Sequence, residues 1–189
     1  MNLRLPKEFV LFDLEYTAWP GSSARKWSGP NEYREIIQIG AVRVRDLAET
    51  DFFCEFVRPK KNPSLSDFII ELTGITQKDV DEKGLAFPGA LKKFLKFVGT
   101  TDAFCWGVDT EVLEENTGFH GSRQIFSREQ FHDLRGQTAA LWQSIGIDVK
   151  QYHSGTMIEA FGKKTERRAH DAVNDMRNLL DAIVELRKA

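Results

Sequence analysis

A short apolar segment near the N-terminus carries two carboxylates in its second half, in the sequence FVLFDLE of residues 9–15. Runs of Phe, Val and Leu of this length are typical of a buried strand. Because side chains alternate along a strand, Asp13 and Glu15 share one face, while Phe12 and Leu14 share the other. An unpaired carboxylate is costly away from water. The segment is therefore either an exposed edge strand with two solvated acids or a rigid strand that supplies two hard oxygen ligands for Mg²⁺ or Mn²⁺.

The composition is that of one globular domain, which we predict to span residues 1–189. Apolar residues make up 41% of the chain and charged residues 29%, which are ordinary values for a soluble protein. The net charge is −2, so no basic field extends over the surface. This charge argues against a surface that follows a long nucleic-acid duplex. It is compatible with binding of a strand end where metal ions supply the positive charge.

The two cysteines indicate in which cellular compartment the protein resides. Cys54 and Cys105 lie in apolar, strand-like segments, which favours buried free thiols in a reducing compartment over a disulfide or a metal site. Residues 1–8 lack the charged-then-apolar pattern of a signal peptide, and no apolar run approaches membrane-spanning length. We therefore predict a cytoplasmic protein with no membrane partner, and the choice between monomer and homodimer stays open.

The order of the periodic segments predicts an α/β fold. Three strand-like segments come first, at residues 9–15, 35–45 and 50–57, and a Gly-, Ser- and Pro-rich loop at 20–30 separates the first two. Helical patterns follow at residues 64–72 (with Ser64 as cap), 87–98, 111–116, 136–145 and 172–186, and extended patterns at 103–106 and 124–134. This order predicts a mixed β-sheet, with its first three strands antiparallel, flanked by α-helices.

Three further residues are candidates to join the two carboxylates. Asp109 follows a strand-like segment and a Gly turn, where functional residues are common, although Asp is also a preferred helix N-cap. His170 and Asp175 are five positions apart, which on a regular helix would separate them by about 140°. They converge if Asp171 caps the helix and His170 lies in the preceding loop. Otherwise the segment is a capped surface helix with a solvated acid. None of these signals is specific alone, since a second Asp-x-Glu pattern begins at Asp109.

Taken in order, Asp13-x-Glu15, Asp109 and His170-x-x-x-x-Asp175 resemble the motifs of the DEDDh (DnaQ-like) 3′–5′ exonucleases. Residues 35–42 resemble the second strand of that family, residues 71–76 the segment after its third strand, and residues 87–88 the start of a helix. The first 110 residues are most similar to the ERI-type branch, which trims RNA. The chain departs from the family in the long loop at 21–33 and in residues 151–168.

The resemblance implies an RNase H-like fold and phosphodiester hydrolysis with two divalent cations, Mg²⁺ or Mn²⁺. It implies that Asp13, Glu15 and Asp175 hold one ion, that Asp13 bridges to the second, and that Asp109 positions the second ion through water. It further implies that His170 takes the proton of the attacking water. The expected product is a nucleoside 5′-monophosphate, released from the 3′ end of single-stranded RNA, DNA or both.

The resemblance also implies contacts with the terminal nucleotide. The implied substrate-binding residues are Glu15, which accepts a hydrogen bond from the 3′-OH, and His170. Two apolar residues join them: Trp19, at the position that lies against the terminal base, and Leu72, at an apolar wedge position before the Thr-Gly pair. Ordinary packing is the alternative for Trp19 and Leu72. The basic pair at 167–168, directly before His170, is a candidate for contact with a phosphate.

Two other functions are compatible with the same fold. A catalytically silent nucleic-acid-binding or scaffold protein would lack at least one motif residue, yet all five positions are filled. An RNase H-like nuclease that cuts internally would not need the His-x-x-x-x-Asp motif or the end-binding positions. A circular substrate separates that activity from an exonuclease. A protein-interaction role of the 20–30 loop is compatible with catalysis, and the choice between RNA and DNA depends on contacts to the 2′-OH.

Overall fold

The computed structural model describes residues 5–121 and 126–188. Within these ranges the centre of the fold is a six-stranded mixed sheet with strand order β4-β3-β2-β1-β5-β6. The strands are β1 (Glu8–Tyr16), β2 (Ile36–Arg45), β3 (Ala48–Arg58), β4 (Leu85–Ala86), β5 (Ala103–Cys105) and β6 (Phe131–Asp133). Strands β1, β2 and β3 pair antiparallel, whereas β5 pairs parallel with β1, and β6 parallel with β5. The predicted mixed sheet with three antiparallel first strands is confirmed.

Helices flank the sheet, as predicted. In the described ranges the α-helices are α1 (Asp67–Thr73), α2 (Gln77–Glu82), α3 (Phe87–Val98), α4 (Asp109–Phe119), α5 (Leu134–Ser144) and α6 (Ala172–Leu186), and the 3₁₀ helices are Arg128–Gln130, Val149–Gln151 and Ser154–Phe161. Helices α3 and α6 have the predicted bounds, whereas α4 is longer than predicted. The cap of α1 is Ser66 and not Ser64, because the Ser66 hydroxyl accepts the Ile69 N–H at 3.2 Å.

One predicted extended segment is largely absent. Residues 124 and 125 of the predicted 124–134 segment lie outside the described residues. The remainder holds a 3₁₀ turn, the three-residue strand β6 and the first residue of α5. The prediction of an extended segment is therefore confirmed only for β6.

Strand β1 is buried on both faces. Phe9 and Leu11 belong to the core that α5 and α6 complete, whereas Val10 and Phe12 belong to the core under α3. The alternative of an exposed edge strand is therefore wrong. Because side chains alternate, Asp13 and Glu15 continue the row of Phe9 and Leu11 on the α6 face.

The start of α6 lies very close to the sheet. A Cβ atom at Gly40, which is opposite Asp13 on β2, would lie only 2.5 Å from the Cβ of Ala172, so this position requires glycine. Gln38 accepts the Ala172 N–H at 3.2 Å, and Asp171 caps the helix by accepting the Asn174 N–H at 2.9 Å. These contacts fix the first turn of α6 against the end of β1.

The loop between β1 and β2 packs against β1. The Trp27 indole N–H donates to the Thr17 carbonyl at 3.1 Å, and its ring centroid lies 5.5 Å from that of Tyr16. Cys105 is buried as predicted, but Cys54 is exposed on β3, so the expectation of two buried thiols is wrong for Cys54. Across the described parts of the chain, the helices are too short or too polar to traverse a bilayer.

Candidate active site

Four carboxylates from three segments meet near the end of β1. Asp13 and Glu15 come from β1, Asp109 is the first residue of α4, and Asp175 lies in the first turn of α6. All four are buried, with exposed fractions between 2% for Asp175 and 8% for Asp13. The structure therefore brings together the four carboxylates that the sequence motif singled out.

Asp109 does not serve as a helix cap. Val108 occupies the N-cap position of α4, and it makes no side-chain cap hydrogen bond. The backbone N–H groups of Asp109 itself and of Leu14 on β1 instead act on the Asp109 carboxylate and oppose the rise in its pKa. The alternative that Asp109 is simply an N-cap is therefore wrong, and its carboxylate is directed to β1.

His170 joins the cluster from the loop before α6. Its backbone has a φ of 59°, in the left-handed region that few non-glycine residues adopt. Its N–H donates to Asp175 Oδ1 at 3.2 Å. With Asp171 as the cap, His170 and Asp175 converge as the sequence analysis required. One ligand atom from each of Glu15, His170 and Asp175 lies within 4.8 Å of the others.

The start of the 3₁₀ helix Ser154–Phe161 packs against the carboxylates of Asp13 and Asp175. The Ser154 hydroxyl lies 3.4 Å from Asp13 Oδ1 and 3.4 Å from Asp175 Oδ2, so it bridges the two carboxylates. A Cβ atom at Gly155 would lie 2.7 Å from the Asp175 Cγ, so glycine lets this backbone approach the carboxylate. The imidazole of His153, the residue before this helix, stacks on that of His170. The sequence analysis missed all three residues, because their segment shows no periodicity and matches the family only loosely.

Burial raises the pKa of all four carboxyl groups, and repulsion within the cluster raises the pKa of Asp13 and Glu15 further. For Asp13 burial is the largest cause, followed by the charges of Asp109, Glu15 and Asp175. For Glu15 burial is again first, followed by Asp175 and Asp109. Burial raises the pKa of Asp109 and that of Asp175 to about 7. Among the residues that the structure describes, none of the four forms an ion pair with Lys or Arg. They cannot all ionise near neutral pH unless positive charge is added beside them.

This donor set fits divalent cations. Carboxylate oxygens are the hard ligands that Mg²⁺ and Mn²⁺ prefer. Buried carboxylates without a cationic side chain are the groups that such ions would neutralise, and the 4.8 Å grouping of Glu15, His170 and Asp175 places three ligand atoms around one position. The sequence prediction of an acidic metal site is therefore supported by the packing.

The carboxylates open onto a cavity of about 350 Å³, a volume in the range of small-ligand sites. Much of its apolar lining comes from the loop after β1 and from α1, namely Ala18, Trp19, Trp27, Phe68, Ile69 and Leu72. Trp19 and Leu72 thus lie in the same cavity as the carboxylates, whereas Trp27 and Phe68 were not predicted. Arg167 and Arg168, the candidates for contact with a phosphate, bind other groups of the protein in this structure. Arg167 pairs with Asp181 at 2.6 Å, and Arg168 donates to the Glu71 carbonyl at 3.2 Å.

A mixed sheet with an acidic cleft between its central strand and two helix N-termini defines a nuclease of the RNase H-like class. The family model described as RNase_T, an exonuclease, matches residues 10–183. The chain therefore belongs to this exonuclease family, and the resemblance noted from its motifs is confirmed.

Two curated relatives of the chain are named as 3′-5′ exonucleases. The chain is 29% identical over 188 residues to 3′-5′ exoribonuclease 1 of Rattus norvegicus, covering 93% of this chain and 52% of that protein. It is 34% identical over 114 residues to the probable 3′-5′ exonuclease KapD of Bacillus subtilis (strain 168), covering 59% of this chain and 53% of that protein. The chain thus spans about half the length of these curated relatives.

A solved structure supports the same assignment. The nuclease domain of 3′hExo, a DEDDh family member bound to rAMP, superposes with a TM-score of 0.76 at 26% identity. The superposition covers 95% of this chain and 91% of that chain. The RNase H-like fold implied by the motifs is therefore confirmed.

Proposed function

We propose that this protein is a metal-dependent 3′–5′ exonuclease that releases nucleoside 5′-monophosphates from the 3′ end of a single strand. The observation that carries the proposal is the convergence of Asp13, Glu15, Asp109, Asp175 and His170 in one cavity. These residues come from distant parts of the chain, and a purely structural role does not explain four buried carboxylates that form no ion pair with Lys or Arg within residues 5–121 and 126–188.

Two divalent cations, Mg²⁺ or Mn²⁺, complete this proposal. Asp13, Glu15 and Asp175 would hold one, and Asp109 together with Asp13 would hold the other. When bound, such ions lower the pKa of a water and stabilise negative charge on the leaving oxygen. The raised pKa values of the carboxyl groups support this assignment, because they mark a site that lacks positive charge.

His170 would accept the proton of the attacking water. Burial and the neighbouring His153 and Arg168 lower the pKa of His170, which keeps its imidazole neutral near pH 7 and able to accept a proton. Glu15 would accept a hydrogen bond from the 3′-OH of the terminal nucleotide. Trp19 and Leu72 would contact its base, and both line the cavity beside the carboxylates.

We further propose RNA as a substrate, because a relative that covers nearly the whole chain is named an exoribonuclease. Residues 1–189 would form one exonuclease domain, in keeping with the match over residues 10–183. A cytoplasmic location belongs to the same proposal, and the two free thiols support it.

The test uses 5′-labelled single-stranded RNA and DNA of one sequence, with Mg²⁺, Mn²⁺ or chelator. Asp13→Asn removes one charge with little change in shape, and Asp51→Asn on the exposed surface of β3 is the matched control. We expect a metal-dependent ladder that shortens from the 3′ end, is lost in Asp13→Asn and persists in Asp51→Asn. The sugar that gives the faster ladder identifies the preferred nucleic acid.

A circular single strand separates the alternatives. Cleavage of the circle would replace the proposal with an endonuclease. Binding of linear RNA or DNA without any cleavage in Mg²⁺ or Mn²⁺ would replace it with a catalytically silent binding protein.

A further inference from the structure

His153 lines the cavity and presents a ring face to His170. The two ring centroids are 4.9 Å apart, and the planes are inclined by 22°, which is the geometry of stacked aromatic rings. Thr156 forms hydrogen bonds with both backbone groups of His153, the N–H and the carbonyl. The His153 N–H donates to Thr156 Oγ1 at 3.2 Å, and its carbonyl accepts the Thr156 N–H at 3.1 Å. The ring is thus carried at the fixed start of the 3₁₀ helix.

Among the described residues, no hydrogen bond orients the ring of His170. Its main chain is fixed by the hydrogen bond to Asp175. Within residues 5–121 and 126–188, no side chain or carbonyl forms a hydrogen bond to its ring nitrogens. Functional histidines ordinarily take their ring orientation from a hydrogen bond to the second ring nitrogen. The stacked face of His153 is therefore a contact that can orient the His170 ring in place of such a hydrogen bond.

We propose that His153 is a positioning residue: its ring holds the His170 imidazole toward Glu15 and Asp175. The proposal rests on the exonuclease function proposed above and adds a residue to that site. A stacked pair favours its stacked orientation by about two- to tenfold. Since His153 acts through its ring face, a flat ring without nitrogen atoms should serve in its place.

The first readout needs neither metal nor substrate. The chain has four histidines, so carbon–proton NMR of the metal-free protein resolves their Hε1 signals, and His170→Gln identifies the signal of His170. We expect a ring-current shift of this signal in the wild type. The shift should be retained in His153→Phe and lost in His153→Ala. An unchanged His170 signal in His153→Ala would overturn the proposal, because the rings would then not stack in solution.

The second readout is steady-state cleavage of single-stranded RNA. We expect kcat to fall about two- to tenfold in His153→Ala with KM unchanged, and to recover in His153→Phe. The control is His132→Ala, which should keep wild-type kcat. His132 lies on β6 and its ring packs on that of Phe104 on β5, with centroids 4.9 Å apart.

Three kinetic results would overturn the proposal. If His153→Phe is as slow as His153→Ala, a ring nitrogen is required and stacking is not the role. If only KM rises, His153 contacts the substrate and does not position His170. If His153→Ala keeps wild-type kcat although the His170 signal has moved, the stack has no part in catalysis. A wild type that cuts neither RNA nor DNA would instead refute the proposed function, and the NMR comparison would still decide whether His153 orients His170.

Discussion

Replacing Gly155 by Ala should displace the carboxylate of Asp175. A Cβ atom at this position would lie 2.7 Å from the Asp175 Cγ. Carbon atoms in ordinary contact are about 3.5–4.0 Å apart, so the carboxyl group must move by about 1 Å. Asp175 is 2% exposed and is held by His170 and Ser154, so the movement disturbs both contacts. A misplacement of this size costs about 10²-fold in rate, and overpacking costs about 1–3 kcal/mol of unfolding free energy.

The assay combines kcat on single-stranded RNA, Mn²⁺ affinity by calorimetry and thermal unfolding. The matched control is Gly89→Ala in the first turn of α3, where an added Cβ meets no atom within 4 Å. We expect Gly155→Ala to lose about 10²-fold in kcat and to bind Mn²⁺ more weakly, and Gly89→Ala to keep the wild-type kcat and Mn²⁺ affinity. A Gly155→Ala protein with wild-type kcat and Mn²⁺ affinity would refute the reasoning, because the position of the Asp175 carboxylate would then not matter.

Three further predictions concern stability. Without metal, the raised pKa values of Asp109 and Asp175 mean that the folded state holds more protons than the unfolded state between about pH 4 and pH 7, so the unfolding free energy should fall as pH rises through this interval. Urea titrations at several pH values measure this fall in the unfolding free energy, and saturating Mn²⁺ should remove it. A metal-free unfolding free energy that does not change with pH would contradict the prediction. Glu35 is fully buried and accepts the N–H groups of residues 60–62 at 2.6–3.0 Å. Burial opposes its ionisation, but the His120 imidazole, whose Nε2 lies 3.2 Å from Glu35 Oε1, and the hydrogen bonds from these N–H groups outweigh that effect and lower its pKa. Glu35→Gln should therefore cost about 2 kcal/mol at pH 7 and progressively less as pH falls below the pKa of an unfolded Glu, and an equal cost at both pH values would contradict this account. Gly40→Ala would place its Cβ 2.5 Å from that of Ala172 and should lower the unfolding free energy by about 1–3 kcal/mol; an unchanged Tm would show that α6 can move away freely.

The long elements of the fold were predictable because their periodicity extends over many residues. Helices α3 and α6 have the predicted bounds, since their apolar residues repeat at helical spacing over 12 and 15 residues. Helix α2 has six residues and strand β4 has two, which is too short for any period. The choice of Ser66 over Ser64 depends on a distant contact, because the Ser66 hydroxyl also donates to the Ala18 carbonyl at 2.5 Å.

Asp13 and Glu15 were predictable because they interrupt an apolar pattern, whereas Asp109 and Asp175 were identified from the order and spacing of the family motifs. Asp13 and Glu15 stand in a run that otherwise indicates burial, and the structure indeed buries both. His153, Ser154 and Gly155 gave no comparable signal. Their importance arises from a 3₁₀ helix, whose repeat of three residues is rarely visible in sequence. Their position also depends on α6, since Asn178 donates to the Gly155 carbonyl at 2.9 Å, and this pairing cannot be inferred from local composition.

The candidate site is shared between β1 and α6, which lie far apart in the sequence. Strand β1 supplies Asp13 and Glu15, and α6 supplies Asp175. During translation the β1 segment leaves the ribosome long before α6 is made. The site cannot assemble until α6 has been synthesised and has docked on the sheet. A growing or prematurely terminated chain would therefore carry no assembled nuclease centre.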